Sequence, residues 1–486
     1  MSWLTWEQET WALFVATLSL LDAVMLVALV PVVLLMKKPS SSSTVAWLML
    51  IVAVPLVGGG LFLLFGIDRV QPRVRRRRAV TERFAPSLPQ LAAHLVHTHE
   101  RLNETQMQLL RLAQKVAGTK ATVGNRVELF QNTHAAMNSI IRAVEAAEQS
   151  IHLEYYIWQP DRIGTKLRDL LIEKARAGVK VRFLYDALGS LRLGQSFFRP
   201  MLDAGIEVAS FVPGQTFRER WSINLRSHRK IVLVDGVTGF TGGMNIGDEY
   251  LGRSKHFGFW RDAHLRLDGP TVLQLQEVFA VDWLYATGED LNGPELFPPP
   301  RDAGTVDAQV VAGGPDLPES VFHTLMFAGI NEARHSATLA TSYFVPTPAF
   351  SSALCAAALR GVRTRVLVSG PVTYWMTYHA GRSFYDELLA AGVEVYEYTR
   401  GQQHSKTLTI DRCWSLVGTP NFDPRSVYLN FEVGVVLYDE NIADQLDHQF
   451  DTDLKDASRI ERDEWAKRSI GRKLIENGCR MFAPVL

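Results

Sequence analysis

Two short patterns in this chain carry residue types that could do chemistry together. His228-x-Lys230-x4-Asp235 is followed by Gly242, Gly243 and Asn245, and His404-x-Lys406-x4-Asp411 by Gly418, Thr419 and Asn421 in the same register. With 13 His, 13 Lys and 25 Asp in 486 residues, chance would supply about 0.02 such triplets. The flanking segments LRSHRKIVLVDG and GQQHSKTLTIDR read as strands, so His and Lys at i and i+2 point to one face. An imidazole beside an ammonium suits a phosphate diester: one group attacks or protonates, the other neutralises the nonbridging oxygens. The turns at Gly243 and Thr419 would bring backbone N–H groups toward an anion, and Asn245 and Asn421 would add neutral donors. A single histidine is normally structural; the duplicated register reverses that reading.

The elements that must hold these motifs also repeat. IHLEYYIW, a helix and AGVKVRFLYD in the first half are matched by TLATSYFVP, a helix and RGVRTRVLVSG in the second, and AGIEV recurs as AGVEV. Each unit is strand, helix, strand, which predicts an α/β sheet with helices on both faces. The boundaries fall at residues 124–293 and 305–486, joined by a Pro-rich linker at 294–304. A basic and helical linker, 71–123, precedes them. Its His94, His97 and His99 lack a metal-ligand pattern and belong to a predicted surface helix.

Residues 11–36 and 45–67 are apolar runs of 26 and 23 residues, about 39 and 35 Å as helices, each long enough to cross a hydrocarbon core of about 30 Å. They predict a two-helix transmembrane hairpin within residues 1–70, with Asp22 inside the first span. Arg69, Arg73, Arg75, Arg76, Arg77 and Arg78 follow the second run, which predicts that residues 68–486 are cytoplasmic. The same arginines could meet anionic headgroups. Lys plus Arg and Asp plus Glu are both 51, so no net field draws the chain to nucleic acid. Three dispersed cysteines, Cys355, Cys413 and Cys479, exclude a disulfide scaffold and a cysteine-based zinc site.

The duplicated HxKxxxxDxxxxxxGxxN resembles the phospholipase D superfamily. NLRSHRK, FTGGMNIGDEY, FWRDAHLRLDGP, AGVEVYEY and FDPRSVYLNFE are similar, more narrowly, to bacterial cardiolipin synthases. Ser342 and Pro420 depart from the family pattern without removing a chemical group. The resemblance implies two α/β repeats about a pseudo-twofold axis behind the hairpin, in a multi-pass protein of the bacterial inner membrane. It implies a phosphatidyltransferase that needs no cofactor or metal, acts on phosphatidylglycerol and other anionic membrane lipids, and binds no nucleic acid. One histidine attacks the phosphodiester, glycerol leaves, and a second phosphatidylglycerol takes the phosphatidyl group, giving cardiolipin. His228 is the implied nucleophile and His404 the acid and base, with Lys230 and Lys406 on the phosphate. Asp235 and Asp411 would orient an imidazole, as a carboxylate does in a serine triad. Asn224 and Arg226 would reach a headgroup phosphate, and Glu432 would support the catalytic residues from behind. The alternative is a phospholipase D that hydrolyses or transphosphatidylates other lipids, such as phosphatidylethanolamine, with the same residues.

Overall fold

The computed structural model describes residues 2–35, 41–63, 71–83, 89–96, 102–211, 225–317 and 320–483. The chain forms two compact units, Met1–Arg73 and Val74–Leu486. In the first, α1 (Ser2–Leu35) contains Leu13–Leu35, the one helix among the described residues that is long and apolar enough to cross a membrane. The expected second span is not one helix. α2 (Ser41–Ala53) stops at Val54, whose φ of −142° is not helical, and α3 (Pro55–Leu61) restarts at Pro55. Proline has no N–H to continue the preceding ladder but suits the first position of a new helix. The 13 residues of α2 reach only about 20 Å, so the structure shows one candidate span in place of the expected pair; residues 64–67 lie outside the described ones. Asp22 finds its partner at this break, where its Oδ1 accepts the freed Leu56 N–H at 3.1 Å. An apolar run read by length alone could not place that bond.

In the second unit the predicted linker helix begins later than its polar pattern suggests. Asn103 and Gln106 form a reciprocal cap that starts the helix Glu104–Ala117. His94 lies 3.6 Å from Asp302, and His97 and His99 fall outside the described residues. The first repeat supplies β1 (Thr122–Phe130), β2 (Ser150–Tyr155), β3 (Lys180–Tyr185), β4 (Glu207–Ser210), β5 (Arg226–Ser227), β6 (Lys230–Val234), β7 (Thr238–Gly242), β8 (Phe259–Arg261) and β9 (His264–Asp268). The second supplies β10 (Val306–Gly313), β11 (Ser336–Thr341), β12 (Arg363–Ser369), β13 (Glu394–Tyr398), β14 (Gly401–Gln403), β15 (Thr407–Ile410), β16 (Trp414–Gly418), β17 (Asn430–Leu437) and β18 (Ala457–Arg459).

One sheet runs through both repeats in the order β18-β13-β12-β11-β15-β16-β17-β10-β1-β9-β7-β6-β2-β3-β4. The β10–β1 pairing, with Thr122 opposite Ala308, makes it continuous, so the Pro-rich linker joins two halves of one body. Within each half three parallel strands (β2-β3-β4, β11-β12-β13) lie beside an antiparallel hairpin (β6-β7, β15-β16). Both faces are covered, so the strands read as near-continuous apolar runs: Ile151, Leu153, Phe183, Val232, Val366, Leu408 and Leu416 are all buried.

The buried helix Thr271–Thr287 carries Asp282, which bonds Arg229 and, at 2.5 Å, Arg77. Arg77 was expected to face lipid headgroups and instead lies buried in this pair; Arg75, Arg76 and Arg78 are exposed. The buried Arg77 guanidinium is tolerated because two carboxylates, Asp282 and, at 3.9 Å, Asp316, lie against it.

Candidate active site

The two motifs are completed by exchange between the repeats. β5 runs parallel to β17, pairing Ser227 with Phe431, and β8 runs parallel to β14, pairing Arg261 with Gln403. The His228 N–H therefore donates to Phe431 O at 2.9 Å, and the His404 N–H to Arg261 O at 2.7 Å. The next residue on each accepting strand is acidic and meets the imidazole. His228 Nδ1 lies 2.8 Å from Glu432 Oε2, and His404 Nδ1 lies 2.7 Å from Asp262 Oδ2. Lys230 Nζ donates to His228 O at 2.6 Å, and Lys406 Nζ to His404 O, leaving two N–H donors on each ammonium. All six side chains are buried.

Burial lowers the His228 pKa to about 4 and that of His404 to about 3, against the opposing pull of the carboxylate each one faces. Burial also lowers Lys230 to about 7 and Lys406 to about 8. Burial alone would raise Glu432 and Asp262, but the adjacent imidazoles and lysines hold both carboxyls below their usual range. Each lysine's charge also reaches the other repeat's imidazole, so the two motifs share one electrostatic site. An ionised carboxylate has no proton to give, so each Nδ1 carries the hydrogen and Nε2 keeps a lone pair. That tautomer is the nucleophilic one.

Several expected roles are corrected. Asp235 and Asp411 do not touch an imidazole. Seven residues of extended chain carry Asp235 about 20 Å from His228, to the far end of β6. There its carboxylate accepts the N–H groups of Glu148, Gln149 and Ser150 at 2.9, 2.8 and 2.8 Å. Asp411 does the same for Arg334, His335 and Ser336 at 2.9, 2.7 and 2.8 Å. Both residues have positive φ, 54° and 48°, a conformation that Asp adopts more readily than most side chains. They close the turns of the two hairpins.

The Gly243 and Thr419 N–H groups are not open to an anion, because they donate to Ala263 O at 3.0 Å and Val433 O at 2.9 Å. Gly243 is needed for space, since a Cβ there would sit 2.0 Å from Asp262 Oδ1. The Thr419 hydroxyl donates to Glu432 Oε2 at 2.5 Å and accepts the Val433 N–H at 3.0 Å, so it positions the carboxylate. Asn245 is buried and accepts the Ile157 N–H at 3.2 Å; Asn421 is buried with its Oδ1 unbonded. Arg226 is buried beside Asp186 and Tyr156, with its Nε unbonded. Asn224 lies outside the described residues.

Asp262, Tyr156 and Trp260 were missed by the sequence reading of single sites. The rings of Tyr156 and Trp260 each lie 4.9 Å from an imidazole, those of His228 and His404 respectively. A usable signal for Asp262 was present: RDAHLRL and NFEVGVVL each place one acid at the head of a strand downstream of the motif asparagine. Ser342, one of the departures from the pattern, accepts a hydrogen bond from Gln402 Nε2 at 3.2 Å.

These buried neutral histidines have a consequence for acid stability. His264, whose ring nitrogens have no hydrogen-bond partner among the described residues, has its pKa lowered by burial to about 4. Unfolding lets it rise toward the ordinary 6.5. The unfolded chain therefore binds the extra proton, and stability is lost as pH falls from about 6.5 toward the folded value. His264→Leu should remove this contribution. Unfolding of the full chain in detergent at pH 7.5 and 4.5 should show wild type losing roughly 2–3 kcal/mol more than the variant. Equal losses would refute the assignment.

Comparison with known proteins bears on what this site is. Residues 140–283 and 326–454 match the family model described as cardiolipin synthase, PLD-like domain, and residues 23–66 match the phospholipase D-nuclease N-terminal model. A cardiolipin synthase of Geobacillus kaustophilus is 38% identical over 99% of this chain and 95% of its own length. Cardiolipin synthase 2 of Bacillus cereus is 39% identical over 90% of this chain and 86% of its own. Among solved structures, the phosphatidylserine synthase of Haemophilus influenzae superposes with a TM-score of 0.60 at 12% identity, covering 78% of this chain and 98% of that one, which is a likeness of fold.

Proposed function

From the chain's membership of the phospholipase D-type cardiolipin synthases, which are phosphatidyltransferases, we propose that it converts two phosphatidylglycerols into cardiolipin and glycerol through a phosphohistidine. The observation that carries this reading is the pair of neutral imidazoles, each held by a carboxylate from the opposite repeat.

In the first step His228 Nε2 attacks phosphorus, the P–O bond to glycerol breaks, and a protonated His404 delivers the proton to the leaving oxygen. In the second, His404 takes a proton from the primary hydroxyl of the other phosphatidylglycerol, that oxygen attacks phosphorus, and the P–N bond breaks. Dividing the displacement lets a weak alcohol nucleophile react with an activated phosphoryl centre. The free N–H groups of Lys230 and Lys406 suit the nonbridging oxygens, and the diester's own charge favours the protonated forms of both lysines and of His404. Asn245 and Asn421 would add neutral donors. Arg226, buried with an unbonded Nε, suits a second phosphate, that of the acceptor lipid. Gly243 and Thr419 serve by shaping and holding the carboxylates.

The first apolar helix anchors the protein in the bacterial inner membrane. We place the catalytic body on its cytoplasmic side.

The test is direct. Purified full-length protein given phosphatidylglycerol alone, with EDTA present, should yield cardiolipin and free glycerol in equal amounts. Phosphatidic acid with no cardiolipin would identify a hydrolase instead. Activity abolished by EDTA and restored by one divalent ion would overturn the metal-free mechanism.

A further inference from the structure

The helix Ile470–Arg480 is held on one face only. Glu476 and Cys479 are buried, and Glu476 bonds Arg382 at 3.2 Å and Arg468 at 3.0 Å. At 100° per residue, Ile470 and Leu474, with Met481 at the helix end, fall on the opposite arc, while Ile475 lies nearer the buried face beside Cys479. They are exposed; Ile470, Leu474 and Met481 are 77%, 68% and 81% accessible. The adjoining turn and helix, Trp375–Arg382, expose Tyr374 and Trp375 as well. A helix on a water-facing surface would carry polar residues there, and a continuous apolar patch marks a contact.

Its rim is basic. From Lys467 to Met481 the chain carries five basic residues and one acid, the buried Glu476; Arg468 and Arg480 pair with Asp386 and Glu387 of a neighbouring helix. Arg472 and Lys473 are exposed and form no ion pair among the described residues. An apolar face edged by Lys and Arg is complementary to the surface of an anionic bilayer.

The patch is also continuous with the site. Tyr374 lies 6.0 Å from Tyr343 by ring centroids, and Tyr156 lies 4.9 Å from His228. Burial first, and then the nearby phenols of Tyr374 and Tyr156, raise the Tyr343 hydroxyl, which groups the three rings. The turn at Tyr374 follows β12. The equivalent turn after β3 in the first repeat exposes Leu188 and Leu191. Lys230 pairs with Tyr155 and Thr407 with Ala340, at the carboxyl ends of β2 and β11, so both apolar turns leave the sheet at the edge that bears the histidines.

We propose that the catalytic body docks on an anionic phospholipid bilayer through this patch, so that lipid reaches the histidines from the membrane across Tyr374, Tyr343 and Tyr156. The lipid-entry part rests on the function proposed above; the docking part does not. Two measurements on the full chain separate them.

In the first, Leu474→Cys, in a background with Cys355→Ser, carries a fluorophore in vesicles of phosphatidylcholine and phosphatidylglycerol. Spin-labelled lipid should quench it strongly. The same label at Leu359→Cys, an exposed position at the opposite edge of the sheet, should be quenched little. No quenching at 474, including the case in which a second copy of the chain covers the label, or equal quenching at both positions, would overturn docking.

In the second, Leu474→Glu with Trp375→Glu should lower turnover of vesicular phosphatidylglycerol about tenfold or more, since removing one buried Leu-sized contact is worth about that factor. Turnover of dispersed short-chain phosphatidylglycerol should change less than twofold. Equal effects on the two substrates would overturn lipid entry across the patch. Absence of cardiolipin from wild type on either substrate would instead count against the proposed reaction, with docking still decided by the quenching.

Discussion

Alanine at position 228 should abolish covalent capture of the lipid, whereas alanine at 404 should slow it in proportion to how badly the leaving group needs a proton. His228→Ala removes the attacking nitrogen, and turnover should fall by about 10⁴-fold or more, as expected when a nucleophile that acts in a unit is lost. His404→Ala leaves the His228–Glu432 pair in place. Losing the acid costs about 10²–10⁴-fold on a poor leaving group such as glycerol and far less on a good one. Each variant is given a phosphatidyl ester of an acidic phenol and quenched in alkali, where phosphohistidine survives. Intact-protein mass spectrometry should then find lipid on His404→Ala and none on His228→Ala. The reverse pattern would exchange the two roles.

The second large effect separates the carboxylates that hold imidazoles from those that close turns. Glu432→Gln and Asp262→Asn should each lower kcat by about 10²–10⁴-fold. An amide can present its NH2 to Nδ1, which then loses its hydrogen, and the wrong tautomer is favoured, as in a serine triad. Asp235→Asn and Asp411→Asn should behave differently. Asparagine tolerates the positive φ of these positions, but one carbonyl oxygen cannot serve three N–H groups as well as a carboxylate does. Stability should fall by roughly 1–3 kcal/mol, with kcat per folded molecule close to wild type. Denaturant titration and active-fraction kinetics on the same samples check both halves. A kcat loss at Asp235 as large as that at Glu432, without loss of stability, would restore Asp235 to the catalytic group.

Much of the fold was legible because strands buried on both faces and helices between them leave a simple pattern, and here the pattern occurs twice. Ile151–Trp158 and Thr338–Pro346 announce β2 and β11 by their apolar runs, and the recurring AGIEV and AGVEV announce β4 and β13. The second membrane segment was misread because apolar length is insensitive to a backbone break. Pro55 ends α2 after 13 residues, and the amide it frees takes Asp22 as its acceptor, a bond between residues 34 apart. Arg77 was misread for a related reason: its place in a run of arginines suggested a surface, while its partner Asp282 lies 205 residues away.

The catalytic site divides along the same line. Position in sequence determined which residues are duplicated, and strand periodicity put His228 with Lys230 and His404 with Lys406 on common faces. The same periodicity, carried five residues further, sends Asp235 and Asp411 to the other end of the strand, although their constant spacing from the histidines suggested a shared task. Only the tertiary structure decided which carboxylate meets which imidazole. Those pairs are Glu432 with His228 and Asp262 with His404, separated by 204 and 142 residues and brought together by the exchanged strands β5–β17 and β8–β14. A hydrogen bond depends on a fraction of an ångström between side chains of distant segments. A linear pattern holds only the local part of that distance, and the packing of the two repeats supplies the rest.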